Sequence, residues 1–189
     1  MDKSFVIFLA TTAISFVGSL QLGPVNLIVI QSVLKRNLQA GLWIALGGCL
    51  PEMIYATAAV GAGMWLEQNL GIWNVLEWSA VPLLLGIGIL IFFTPNRSIK
   101  PEKGQKQSFS FLKGLTLGLF NPQLFPYWLI MLVQFGMYDA LRVQTRPEQI
   151  AFVLGTAVGA LGLLIGVAYL TSHFRESLLL RLGKFNFNR

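Results

Sequence analysis

The sequence predicts an all-α fold, a bundle of helices that cross a lipid bilayer. Three observations carry this. Of the 189 residues, 54% are apolar and 12% charged, against roughly 25% charged in a soluble domain. The apolar residues gather into five stretches, each near the ~20 residues that a spanning helix needs. The basic residues fall in short segments between those stretches, so bilayer orientation explains the net charge of +6 better than nucleic acid does. A single cysteine, Cys49, and a single histidine, His173, cannot build a zinc, iron–sulfur or haem site or a disulfide from this chain alone. No cofactor or metal is expected.

The first stretch, Ser4 to Leu34, runs 31 residues without a charge, longer than one straight span requires. Its second half carries Gln21, Gly23, Pro24 and Asn26, which predicts a long, interrupted helix. The second stretch runs from Gln39 to Leu66, with Pro51 and Glu52 in its middle. The third, from about Leu76 to Phe93, is entered through Trp73, Glu77 and Trp78, aromatics that suit a membrane interface. Residues 94–110 form a polar, basic linker. The fourth stretch, Phe111 to Phe135, is interrupted at Asn121-Pro122-Gln123 and again at Pro126. In the fifth, Gln149 to Leu170, Gly155, Gly159, Gly162 and Gly166 recur at the spacing that lets helices approach closely in lipid. The final segment, Ser172 to Arg189, is too polar to cross and is placed on the membrane surface.

Placing the loops after spans one and three and the C-terminal segment on one side collects 11 basic residues there. Lys3, Arg142 and Arg146 remain opposite. The basic side should be cytoplasmic and the N-terminus outside.

Spans one and four share a proline next to or near an asparagine, and spans two and five are the glycine-rich ones. Residues 1–93 then form one three-helix unit and 111–189 a second, joined by 94–110. An odd number of spans per unit inverts the second against the first, the arrangement of many secondary transporters. A sixth span to match the third is expected; truncation is the preferred account of its absence, the alternatives being a helix from another chain or a bundle in which five spans suffice.

Interrupted helices in lipid leave backbone groups that must face protein, water or a ligand. Pro24 is expected to free the carbonyl of Leu20, and Pro122 that of Gly118. Such carbonyls suit a substrate ammonium, and the half-helix N-termini suit a carboxylate, so Gly23, Pro24, Asn26, Asn121, Pro122 and Gln123 are the candidate substrate-binding residues for an amino acid zwitterion. Glu52 is the one acid deep in a span and is the candidate proton-coupling group. Tyr55 shares its helical face and stands as a packing aromatic that can also orient it.

Gly23-Pro24-Val25-Asn26, then Lys35-Arg36 and Gly41-Leu42-Trp43-Ile44-Ala45-Leu46-Gly47, resembles the first half of the lysine exporter (LysE-type translocator) family, including its threonine and homoserine exporter branch. Phe111-Leu112-Lys113-Gly114, Asn121-Pro122 and Gln134-Phe135 resemble its second signature. The resemblance implies an amino-acid exporter of the bacterial inner membrane, driven by proton antiport and often homodimeric. The chain departs from the family's usual Pro-Gly-Pro-Asn at Leu22–Asn26, from Gly-Asp at Pro51-Glu52, and from Asn-Pro-Lys at Gln123. The alternative is a non-transporting membrane subunit that assembles with a partner through its glycine faces. With no nucleophile–base arrangement or paired acids within the spans, an enzyme is not expected.

Overall fold

The structure, a computed structural model, describes residues 2–21, 23–68 and 107–176. The described residues are all helical or irregular. The helices are α1 (Lys3–Gly18), α2 (Pro24–Lys35), α3 (Leu38–Gln68), α4 (Gln107–Leu119), α5 (Leu124–Gly136) and α6 (Arg146–His173). The expected third span and the surface segment from residue 177 onward lie outside the described residues. The linker is shorter than expected on its C-terminal side, because α4 already begins at Gln107. Apolar Phe109 and Phe111 alternate there with Ser110, whose hydroxyl receives a hydrogen bond from Arg36.

By length and hydropathy two helices can cross a membrane unaided, Leu38–Gly63 within α3 and Arg146–His173. The pair α4 and α5 passes the same test jointly and is bent by 63° at its break. α1 and α2 are shorter apolar helices on either side of a second break.

Contacts fix how these pieces run. Lys3 at the start of α1 pairs with Glu148 at the start of α6, 3.3 Å away. Further along, the Ser15 hydroxyl donates to the Thr156 carbonyl, and past the break Arg175 donates to the carbonyl of Leu34 near the end of α2. α1 and α2 therefore lie end to end along α6 and run in its direction. α3 runs the other way: Gly41 lies by Ala168 and Gly48 by Leu164, while Ala56, Ala59 and Val60 pack with Phe152. α4 and α5 follow α3, from Gly114 against Ile44 to Leu132 against Gly63. The two broken pairs thus run in opposite directions.

The tightest packing is between α3 and α4. A Cβ on Gly47 would meet the backbone of Phe111 and Leu115, and one on Gly114 the backbone of Ile44 and Gly48. Neither helix tolerates a side chain there, since backbone cannot move aside as a flexible side chain can. The glycines of α6 are used only in part. Gly155 and Gly159 sit against Thr11, Ser15 and the α1 backbone, Gly162 only approaches Phe16, and Gly166 meets none of the described residues. The reason is that α1 stops at Gly18, and past the break α2 packs instead against Leu164 and Ala168.

α3 continues as a helix through Pro51 rather than breaking there. The ring is fully buried and faces Gly118 of α4. A bundle neighbour without a side chain accommodates the proline, as is common in lipid.

Candidate functional site

Pro24 occupies the first position of α2, where a missing N–H costs nothing and the fixed φ favours helix initiation. Five residues, 19–23, form the interval between α1 and α2. Asn26 is 5% exposed and turns back onto that interval. Its Nδ2 donates to the carbonyls of both Ser19 and Gln21, each at 2.8 Å.

The second break is built differently. α4 ends at Leu119, the Asn121 N–H donates to the carbonyl of Gly118 at 3.1 Å, and the side-chain oxygen of Asn121 accepts the N–H of Gln123 at 3.2 Å. Two tyrosines tie the half-helix ends to their neighbours. Tyr55 of α3 donates to the carbonyl of Leu119, and Tyr127 of α5 to that of Ile14 in α1.

These bonds change the expected chemistry of the breaks. The carbonyl of Gly118 is not left waiting for a substrate, because a turn N–H already reaches it. At the first break, Ser19 and Gln21 are the carbonyls that the structure caps, with an amide of the protein itself. Tyr55 serves the α4 terminus and not Glu52. The physical reason is common to all three: in a bundle, a break is closed first by the nearest side chain, since an unpaired carbonyl costs several kcal/mol in lipid.

Between the breaks lies a cavity of about 120 Å³, room for several waters at roughly 10–15 Å³ each. Its wall includes Gly23, Pro24 and Asn26 from the first break, Asn121 and Gln123 from the second, and Glu52 from α3. Six of the seven residues singled out in the sequence therefore converge on one space. Pro122 is exposed on the turn and is not part of the wall. Its place is to shape the turn that presents its two neighbours.

Ala160 and Leu164 of α6 and Gly48 and Glu52 of α3 also border the cavity, so it sits near the midpoint of both long helices. An apolar cluster lies to either side of it along the helix axes. One contains Ile7, Val60, Phe135 and Phe152, the other Ile28, Val33, Ile44 and Ala168.

Glu52 is 9% exposed and accepts a hydrogen bond at 2.5 Å from the indole Nε1 of Trp128. Among the described residues lining the cavity there is no Lys, Arg or His. Trp128 is 1% exposed and stands edge-on to Tyr127 and to Phe152 of α6, with ring centroids 4.9 and 5.7 Å away. Sequence reasoning missed Trp128, although a signal existed. A tryptophan deep in an apolar run must satisfy its N–H, and Glu52 is the one intramembrane acid able to do so.

A family model for LysE type translocators matches residues 16–184. The chain belongs to the LysE type translocator family. Both breaks and all cavity-lining residues except Ser15 fall within that match. No curated protein and no solved structure matches the chain significantly. Members of the family are transporters rather than enzymes, so this LysE-type translocator is a membrane protein that moves a small molecule.

Proposed function

We propose that this translocator exports amino acids or closely related small metabolites across the bacterial cytoplasmic membrane by proton antiport, with the cavity between the two breaks as its substrate site. The single observation that carries the reading is the convergence of both interrupted helices and one carboxylate, Glu52, on one cavity near the midpoint of the long helices. Secondary transporters place their sites in this way because broken helices bring polar backbone to the membrane centre without exposing it to lipid.

The roles follow from chemistry. Glu52 attracts either a proton or a substrate ammonium, and cannot serve both fully at once. The side chains of Asn121 and Gln123 offer donors and acceptors to the rest of the solute. Asn26, Gly23 and Pro24 shape the first break and the start of α2, whose amide end lines the cavity and suits a carboxylate. Among the family's branches, threonine and homoserine exporters set the first substrates to try, since no base from the described residues lines the wall. The basic segments face the cytoplasm and the N-terminus the outside in this reading, and two copies form the working unit.

Driving force is adequate. One elementary charge crossing 100 mV releases about 2.3 kcal/mol, which supports roughly a 40-fold gradient at about 1.4 kcal/mol per factor of ten.

The test is efflux from proteoliposomes preloaded with labelled L-threonine, L-homoserine or L-lysine, with and without an imposed pH gradient. Efflux should accelerate when the outside is made acidic, and Glu52→Gln should abolish that acceleration. Gln retains an acceptor for Trp128, so the variant should still fold. Efflux by Glu52→Gln that responds normally to pH would sink the proton-coupling role. If the unmodified protein carries none of the panel while it still pulls down a membrane partner, the assembly-subunit alternative takes its place.

A further inference from the structure

Glu52 already has a donor within the cavity wall. The indole N–H of Trp128 sits on its Oε2 at 2.5 Å, which is where a cationic N–H from the cavity would have to go. No basic side chain among the described residues lines the wall, and the titratable neighbours that face the carboxylate are Tyr127 from α5 and Cys49 from α3 itself. The described cavity-lining residues of α1, α2, α4 and α6 present no ionisable group. The remaining edge of the indole is held in the apolar cluster beside the cavity, against Phe152 and through it Phe135.

Resting on the exporter reading, we infer that Trp128 is a placeholder for the substrate's ammonium group, released from Glu52 when a primary amine binds, so that occupancy of the cavity loosens the aromatic plug beside it. The physical logic is competition. An ammonium brings a full charge and three donors, the indole one neutral donor, so only the ammonium adds the Coulombic attraction of an opposite charge to the hydrogen bond. The amine therefore wins, but only after displacing the tryptophan. The fraction of protein in which Glu52 is held by Trp128 reduces the apparent affinity in proportion. In exchange, an empty carrier keeps its plug shut, because the bond that holds Trp128 in place exists only while the site is vacant.

Trp128→Phe deletes the N–H and retains a ring for the stack on Phe152. The full chain in liposomes is assayed with L-threonine, L-lysine and propylamine as probes. For each probe that the unmodified protein carries, the variant should show about a tenfold lower half-saturating concentration, equivalent to about 1.4 kcal/mol and near the lower end of a hydrogen bond to a charged group. Its maximal rate should fall at the same time, since release of the plug is no longer tied to binding. A purely structural tryptophan would leave the half-saturating concentration unchanged or raise it, and either result overturns the inference.

A second measurement covers the case in which Trp128→Phe does not fold. With Trp43, Trp65, Trp73 and Trp78 replaced by Phe, Trp128 is the sole emitter, and saturating probe should shift its emission while the N-acetylated form of the same probe should not. Unshifted emission with a probe that the protein carries refutes the placeholder and leaves the exporter reading standing. Failure of the unmodified protein to carry any probe removes the exporter reading, and this inference with it.

Discussion

Asn26 illustrates how one side chain can decide the shape of a site. Its amide spans the first break and satisfies two carbonyls at once. Removing it leaves both unpaired in a region with little water, at a cost of about 1–3 kcal/mol per lost partner. Asn26→Ala should therefore lower the thermal midpoint of the purified protein measurably in detergent. Asn26→Asp should be no better, because it puts an acceptor where the backbone needs a donor. If Asn26 acted only as a substrate ligand, Asn26→Ala would leave the midpoint unchanged while weakening transport. Glu148 at the start of α6 is a parallel case. It accepts the N–H groups of Gln144 and Thr145 at 2.7 and 2.9 Å and pairs with Lys3. Glu148→Ala should destabilise by about 1 kcal/mol, typical of a lost helix cap, and Lys3→Met by less, since a half-exposed pair contributes little. Paired unfolding curves for the two variants give the order directly.

At the scale of elements, glycine separates packing from mere composition. Gly47 and Gly114 lie backbone against backbone between α3 and α4, so Gly114→Ala must push the helices apart. The expected loss is about 1–3 kcal/mol, the usual range for overpacking. Among the described residues nothing lies near the would-be Cβ of Gly166. Gly166→Ala should be neutral or stabilising by up to about 1 kcal/mol, as for glycine to alanine within a helix. Thermal unfolding of the two variants side by side checks both signs, and a tolerated Gly114→Ala would contradict the close approach. The sequence marks Gly155, Gly159, Gly162 and Gly166 as one stripe, but whether a stripe is used depends on where the partner helix ends. In the α3–α4 seam Gly47 lies against Phe111 and Leu115 and Pro51 against Gly118; Gly114 and Gly118 carry the four-residue spacing, but neither segment alone says which helix it meets.

For the whole molecule, the arrangement suggests which pieces move together. α1 and α6 are joined along their length by Lys3–Glu148, by Ser15–Thr156 and by Gly155 and Gly159. α5 leans on α3 at Gly63 and Leu132, beside the aromatic cluster that bounds the cavity. Alternating access by motion of α5 against α3, with α1 and α6 moving as one body, should need the second contact to open and the first to persist. In a Cys49→Ser background, a disulfide between Gly63→Cys and Leu132→Cys is expected to stop efflux and to release it on reduction. A disulfide between Thr11→Cys and Gly155→Cys should leave efflux intact. The reverse pattern, read in the same liposome assay, would assign the motion to α1 against α6 instead.

What the sequence determined by itself is the class of the protein and the ingredients of its site. Apolar runs of spanning length, basic residues confined between them, and proline with asparagine in two of those runs follow from the energetics of lipid, which acts on each segment separately. Those same rules located the breaks near Gly23–Pro24 and Asn121–Gln123 and picked out Glu52. The tertiary structure alone decided the partnerships: that Asn26 closes its own break, that Tyr55 serves α4, that Pro122 shapes a turn outside the cavity, and that Trp128 holds Glu52. A polar group buried in a bundle must find a partner, but the sequence states only the need. Which partner meets it depends on which helices lie side by side, and that is fixed by packing between segments 141 or more residues apart.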